Sequence, residues 1–189
     1  MNEQSPLPVV VAWSAVVRCV LRCAVLLARR RLRLPRALVG LRLRFADGTT
    51  GTVYRETQVD GLAPVEPCLL VVEFRLRGVR GPRAHALFRA ESLLNTPLFA
   101  GSPGLVSELW VAAAEHAVYR GVYEWDGADR ADLYARSLWR VLALVSEPGS
   151  IHYRVIPGLR RTHVLAAPEL LAVGTPGEGA DWWRLVDAT

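Results

Sequence analysis

The sequence predicts an α+β fold, because strand and helix patterns follow one another in the order βαββαβ across residues 66–158. Alternating apolar residues mark the strands, and apolar residues three or four positions apart mark the helices. Pro and Gly stand at several of the boundaries. This order is that of the ferredoxin-like unit, in which two helices cover one face of a four-stranded antiparallel sheet. The other face carries apolar residues as well and needs a cover of its own.

Each of the six segments has its own boundary signals. The first helix begins at Pro82, and the second helix follows Asp126 and Gly127, which fit an N-cap or a turn. Pro148 ends the second helix, and Pro157 ends the last strand. The predicted segments are a strand at 68–78, a helix at 82–94, strands at 105–112 and 118–125, a helix at 128–146 and a strand at 151–156.

Residues 1–62 form an N-terminal extension in front of this domain. Residues 7–28 are the most apolar segment of the chain, and RRRLRLPR follows them. Residues 41–59 alternate and are broken by Asp47-Gly48, which predicts a β-hairpin. Behind the domain, residues 159–189 form a tail with a short helical segment at 167–173 and a terminal Trp182-Trp183 that we expect to pack on the domain.

Charge divides the chain in two. All 23 basic residues are arginine, and the net charge is +5. Residues 1–44 hold nine arginines and one acid, whereas residues 45–189 hold fourteen arginines and seventeen acids, so the two parts carry +8 and −3. A mildly acidic body argues against nucleic-acid binding. The three cysteines predict neither a disulfide framework nor a metal site, and buried thiols fit a reducing cytoplasm.

The apolar helix at 7–28 has three possible locations. A membrane span would place Arg18 and Arg22 near the middle of the bilayer, which costs about 2.5–3.5 kcal/mol for each. On a helix, Arg18, Arg22 and Arg29 share one stripe, which suits a helix lying on an anionic membrane. The third location is the surface of this domain or of a partner protein. We therefore expect residues 9–36 to contact the protein's own core, a partner or a membrane surface.

No standard catalytic motif is present, so the candidate residues come from their positions on the predicted elements. The predicted catalytic residues are the titratable side chains His85, His152 and Tyr123. The predicted substrate-binding residues are Asn95, Trp110, Tyr119, Trp125, Tyr134, Trp139 and Arg154. The tryptophans fit core packing as well as ligand contact, and each histidine also fits a structural or exposed role.

Residues 103–134 carry a resemblance to a known family. The runs PGLVSELW at 103–110 and GVYEWDG at 121–127, followed by a helix rich in Ala and Tyr, resemble the YdhR-like mono-oxygenases. That family belongs to the dimeric α/β-barrel superfamily, and the similarity extends over about residues 67–158. The resemblance implies a homodimer in which two sheets pack face to face. It also implies a cofactor-free enzyme that deprotonates an aromatic or polyketide-like substrate, as an oxygenase or a cyclase.

Two further functions remain open beside this one. A non-catalytic dimer could use its basic N-terminal helix to attach to a membrane or to a biosynthetic enzyme. Haem binding through His85 or His152 is a weaker alternative, since no haem motif is present. In the enzyme hypothesis, His85 or His152 accepts the proton, while Asn95, Trp110 and Tyr123 orient the oxyanion.

Overall fold

The structure is a computed structural model that describes residues 5–61, 63–79, 81–93, 96–113, 117–172 and 181–189. Its helices and strands follow the predicted order closely. The helices are α1 (Val9–Ala28), α2 (Pro82–Glu91), α3 (Thr96–Phe99), α4 (Ala128–Leu142) and α5 (Arg161–Ala166), with short 3-10 helices at Pro168–Leu171 and Asp181–Trp183. The strands are β1 (Leu32–Arg33), β2 (Arg42–Phe45), β3 (Thr50–Val59), β4 (Pro67–Arg75), β5 (Leu105–Ala113), β6 (Val118–Asp126), β7 (His152–Pro157) and β8 (Leu185–Ala188).

The described strands form one antiparallel sheet in the order β7-β4-β6-β5-β3-β2-β8, with β1 paired to β3. Within it, β4, β5, β6 and β7 make the ferredoxin-like unit. The first strand of that unit, β4, pairs with both β6 and β7, while β5 pairs with β6, so the two β-α-β halves interlock. The predicted α+β, ferredoxin-like fold is confirmed by this pairing.

The predicted hairpin is also present, and it belongs to the same sheet. Strands β2 and β3 pair around a turn in which Thr49 donates its backbone N–H and its hydroxyl to the Asp47 carboxylate. Gly48 takes φ +85° there, a conformation that favours glycine. On its other side, β3 pairs with β5 from Thr52 to Gln58. The extension and the domain therefore share one sheet.

Helices α2 and α4 cover one face of this sheet. The apolar residues of α4 that point inward are spaced three or four positions apart, and they pack on Cys68, Leu70 and Val72 of β4. Helix α4 ends at Leu142, four residues before the predicted end at Ser146, because the chain turns back to the sheet. Ser146 forms a bridge with Leu76, and the Glu147 backbone donates to the Arg75 carbonyl.

The C-terminal tail covers the opposite face. Val164, Leu171 and Leu185 pack on apolar residues from the far side of the strands. Trp182 and Trp183 also pack against this cluster. The helical segment predicted at 167–173 is the 3-10 helix Pro168–Leu171, and α5 is an additional helix just before it. A homodimer stays a prediction, but its original reason no longer applies, because one chain covers both faces of its own sheet.

A buried ion pair anchors this tail. Arg161 of α5 donates to the Glu56 carboxylate of β3 over 2.7 Å, and both side chains are buried. A second charged group lies on the same face, where Arg120 pairs with Asp47 and Glu73 and stacks over Phe45. These pairs neutralise the charges that this face buries.

Helix α1 docks on the domain through one narrow stripe. Its buried residues are Ala12, Val16, Cys19 and Cys23, and they pack toward α3 and α4. The close approach depends on Gly101, because a Cβ there would lie 2.7 Å from the Cys23 nitrogen and closer still to the Cys19 carbonyl. By length and composition, α1 is the helix among the described residues that could cross a membrane.

We expect Arg161→Met to lower the free energy of unfolding by about 3–5 kcal/mol, because it leaves the Glu56 carboxylate buried without a partner. Urea denaturation measures the loss. The double variant Glu56→Gln/Arg161→Met serves as the control, and it should recover most of the stability. A loss below about 1 kcal/mol in the single variant would show that the tail does not depend on this pair.

We expect Gly101→Ala to lift α1 from the domain, because the added methyl group overlaps the α1 backbone. Burial shields the Cys19 and Cys23 thiols and raises their pKa values, which slows their reaction with a thiol reagent. The variant should therefore label at two cysteines at least about tenfold faster than the original chain. Cys68, buried in β4, is the internal control and should stay slow; unchanged labelling of all three thiols would contradict the docking of α1.

Candidate active site

A cavity of about 280 Å³ lies between the sheet and helices α2 and α4. Its floor is formed by inward-facing residues of β3, β5 and β6, and its walls are mostly aromatic. Glu108 contributes a buried carboxyl group to this mainly apolar lining, Ser92 contributes a hydroxyl, and the exposed Glu91 lies at the rim. The aromatic lining residues are Tyr54, Phe74, Phe88, Phe99, Trp110, Tyr119 and Tyr123.

Glu108 is the main ionisable group of the cavity. Its side chain lies on β5 and is only 1% exposed. Burial raises the pKa of Glu108 from 4.5 to about 8, while Arg55, Tyr123 and Trp110 act in the opposite direction. Neither carboxyl oxygen has a hydrogen-bond partner of ordinary geometry in the described part of the chain. A buried carboxyl group with free oxygens can bind a ligand or accept its proton.

Arg55 brings a buried positive charge to the same region. It lies on β3 opposite Trp110, and its guanidinium stacks over the Trp110 ring with 3.6 Å between Cζ and the ring centroid. Burial lowers the pKa of Arg55, and Glu108 opposes that change. The three guanidinium nitrogens also have no hydrogen-bond partner among the described residues. The cavity thus has the Arg55 cation nearby and the Glu108 carboxyl group in its lining. Neither group makes a hydrogen bond of ordinary geometry with another described residue.

A local irregularity in β3 turns a tyrosine toward this cavity. The pairing between β3 and β5 shifts its register between Val53 and Arg55, which leaves Tyr54 as an extra residue. The Tyr54 ring then packs edge-on against both Trp110 and Tyr119, with 6.3 Å between centroids in each pair. Burial raises the pKa of the Tyr54 hydroxyl well above its usual range.

His85 and Tyr119 form a hydrogen-bonded pair at another part of the cavity wall. His85 is the one residue of α2 that is fully buried, and 2.9 Å separates its Nδ1 from the Tyr119 hydroxyl oxygen. Phe74 and Phe88 pack on the Tyr119 ring. Burial raises the pKa of Tyr119, and Arg89 opposes the rise. An imidazole and a phenol at this distance can pass a proton between them, here between Tyr119 at the cavity wall and His85 on α2.

Several predicted site residues lie together here. Trp110, Tyr119 and Tyr123 line the cavity, and His85 contacts it through Tyr119. Burial and the nearby Glu108 carboxyl raise the pKa of Tyr123. Trp125 and Tyr134 stack on one another just beyond Tyr123 and belong to the packed core.

Other predicted site residues lie elsewhere. His152 and Arg154 occupy the opposite face of the sheet, because their side chains alternate with those of Tyr153 and Val155. There they are exposed and lie against Trp182 and Trp183 of the tail. Trp139 packs on Tyr153 rather than in the cavity. Asn95 lies outside the described residues.

The site residues predicted from the sequence did not include Glu108, Arg55 or Tyr54. Glu108 had a usable signal, since it shares the strand parity of Trp110 in the apolar run LVSELWV. An acid on the covered face of such a strand is exceptional. Arg55 and Tyr54 had no comparable signal, because their positions depend on how a separate hairpin pairs with β5.

A second cavity, of about 370 Å³, lies beneath α1. Its lining is mainly apolar, with Arg18, Arg22 and Arg130 contributing charge, and Leu138 lines both cavities. This second cavity lacks an acid among its described lining residues. Of these two cavities, the one at Glu108 is the one with a buried carboxyl group in its described lining.

No protein-family model and no curated protein matches the chain. Three similar solved structures come from Listeria. One is an uncharacterised ferredoxin-fold protein of Listeria monocytogenes related to antibiotic biosynthesis monooxygenases, with 16% identity and a TM-score of 0.40 over 60% of this chain. Another is a monooxygenase-like protein of Listeria innocua, with 18% identity and a TM-score of 0.38 over 61% of this chain. The third is LmHde, a heme-degrading enzyme of Listeria monocytogenes, with 14% identity and a TM-score of 0.42 over 60% of this chain.

This chain spans 66% of the first of these proteins, just under two thirds, and 69% and 80% of the other two. Such distant similarity assigns neither an activity nor a site residue. The fold of this chain rests on its own strand pairing, as described above.

We expect Glu108→Gln to flatten the dependence of stability on pH. Between pH 4.5 and about 8 the folded chain keeps the Glu108 proton and the unfolded chain loses it. Stability should therefore fall as pH rises through this window, by up to about 1.4 kcal/mol per pH unit, and level off above it. Urea denaturation across this range measures the slope. Glu91→Gln, at the exposed rim of the same cavity, is the matched control and should keep the slope of the original chain.

Proposed function

We propose that the cavity at Glu108 binds a small aromatic compound and that the chain acts on it as a cofactor-independent enzyme of the mono-oxygenase or cyclase kind. The observation that carries this proposal is the buried Glu108 carboxyl group, which faces an aromatic cavity beside Tyr123 and Trp110 and makes no hydrogen bond of ordinary geometry among the described residues. The proposal replaces His152 with Glu108 as a proton acceptor, because His152 lies on the other face of the sheet.

The size and lining of the cavity support an aromatic ligand. A volume of about 280 Å³ has room for a compound of about one or two fused rings. Tyr119 and Trp110 offer ring faces and edges to such a ligand. A flat, apolar substrate with one acidic hydroxyl or carbon would match this lining and place that group at Glu108.

The electrostatics of the site support proton abstraction. A base is most effective when its pKa lies near the working pH, and burial brings Glu108 to about 8. The anion formed on the substrate would lie on the side of the sheet that holds the buried Arg55 guanidinium, whose positive charge would stabilise it. His85 and Tyr119 would move a second proton to or from the substrate. Glu108 is thus the proposed base, and Arg55 the proposed stabiliser of the anion.

The oxygenase form of the reaction needs no further group from the protein. A deprotonated, electron-rich aromatic substrate can itself reduce O₂, so that a CH₂ group becomes C=O and the second oxygen atom leaves as water. The cyclase form needs the same base without O₂.

Membership of the YdhR-like family, a polyketide-like substrate and a homodimer belong to this proposal. The three cysteines are buried and free, which supports a reducing cytoplasmic location.

A second candidate function is a non-catalytic binding protein held at a membrane or on another protein. The large apolar surface that α1 leaves exposed supports it. In that case the cavity at Glu108 would hold a ligand without converting it.

Native mass spectrometry of the chain, purified gently from its own host, tests the ligand first. We expect an additional mass of aromatic character and about the size of the cavity. The identified compound is then assayed for O₂ consumption and for product. Glu108→Gln should lower turnover by about 10²–10⁴-fold with little change in KM, because it removes the base and keeps the shape of the site.

Glu169→Gln, at an exposed position on the tail, is the control in this assay and should retain activity. Product formed with equal consumption of O₂ supports the oxygenase, and product formed without O₂ supports the cyclase. A ligand that binds and stays unchanged moves the conclusion to the binding protein. Full turnover in Glu108→Gln would refute the role of Glu108.

A further inference from the structure

Helix α1 carries three parallel stripes of different character. Ala12, Val16, Cys19 and Cys23 form the buried stripe that faces the domain. At 100° per residue, the outward stripe on the opposite side contains Val10, Trp13, Val17 and Leu21. Arg18, Arg22 and Arg29 form a third stripe along one edge between the other two. An ordinary surface helix has a polar outward side, and this one does not.

The outward stripe is well exposed. Val10 is 78% exposed and Leu21 is 64% exposed, with Trp13 and Val17 between them. Val9, Val20, Val25 and Leu27 add further exposed apolar surface along the same helix. Soluble proteins rarely leave a continuous apolar surface of this length uncovered. Something of apolar character must therefore cover it.

The charge around the stripe indicates what the cover is. The arginines of the third stripe are exposed, and Arg30, Arg33 and Arg36 follow just after α1. Between residues 5 and 46 the sequence contains nine arginines and no acidic residue. An apolar stripe bordered by arginines fits a lipid surface, where the side chains enter the acyl region and the guanidinium groups meet anionic headgroups. Trp13 is a residue type enriched at that boundary.

The same charge argues against a second copy of α1 as the cover. Two copies packed by their outward stripes would bring both sets of arginines together, and neither helix has an acid to pair with them. A membrane span is disfavoured as well. Spanning would remove Cys19 and Cys23 from the core and place Arg18 and Arg22 within the bilayer.

We propose that α1 lies flat on an anionic lipid surface through its outward stripe, while its inner stripe stays docked on the domain. The protein is then a peripheral membrane protein, and the second cavity, beneath α1, lies beside the bilayer. This inference does not depend on the function proposed for Glu108, and Glu108→Gln should bind lipid as the original chain does.

Vesicle flotation of the full chain tests the proposal. We expect the chain to float with vesicles of phosphatidylcholine and phosphatidylglycerol in equal parts, and much less with phosphatidylcholine alone. Added salt should weaken binding, because it screens the arginines from the headgroups. Arg18→Glu/Arg22→Glu should lower the partition coefficient at least about tenfold. Val17→Asp/Leu21→Asp should abolish flotation, since it places carboxylates in the outward stripe.

The matched control is Arg75→Glu/Arg83→Glu, which makes the same change of charge at two exposed positions away from α1. It should bind within about twofold of the original chain. Thermal unfolding of each variant verifies its fold, and all the substituted residues are exposed. Equal binding to neutral and anionic vesicles, or no binding to either, would overturn the proposal. A dimer in sedimentation that Val17→Asp/Leu21→Asp dissociates would overturn it too, in favour of a second copy.

Discussion

The pairing of β3 with β5 is the constraint on which the rest of this structure depends. A ferredoxin-like unit on its own ends at β5, with an open edge and an uncovered sheet face. The hairpin closes that edge, and its outer strand β2 then pairs with β8 of the tail. The same pairing brings Glu56 to Arg161 on one face and Arg55 to Trp110 on the other. One set of backbone hydrogen bonds thus determines both the second core and the electrostatics of the cavity.

The two faces of the sheet solve the problem of buried charge in opposite ways. On the tail side, Arg161 and Arg120 each bind a carboxylate directly, so burial there contributes to one specific packing of the tail. On the cavity side, neither Arg55 nor Glu108 has an ion-pair partner within bonding distance or a hydrogen bond of ordinary geometry among the described residues, although each shifts the pKa of the other. An arrangement that leaves two ionisable groups unsatisfied costs stability, which is typical of sites that bind or react. This contrast supports a functional site on the cavity side of the sheet.

The sequence predicted the fold better than the site, for a physical reason. Strand and helix periodicity is local, and it located β4 to β7, both covering helices and the hairpin turn at Asp47-Gly48. Strand parity decides which face of the sheet each side chain occupies. It could therefore have shown that His152 and Tyr153 lie on opposite faces. Pairing between distant strands has no local signal, and the position of Arg55 beside Trp110 follows from it. The cover of the second face by α5, by the two tail tryptophans and by β8 was equally non-local, and without it the apolar second face favoured a sheet-to-sheet dimer.

Helix α1 links the cavity to whatever covers its outward stripe. Its inner residue Cys23 belongs to the same core cluster as Tyr123, Trp125 and Tyr134, so a movement of α1 would repack the wall behind the site. Deleting α1 would expose this core and the second cavity beneath α1. A loss of activity in that variant would therefore not report on attachment to lipid. Substitutions confined to the outward stripe leave Ala12, Val16 and Cys19 in place and alter only the exposed surface. The proposed attachment and the proposed chemistry can be tested separately, because the outward stripe of α1 and its docked stripe are different sides of the helix.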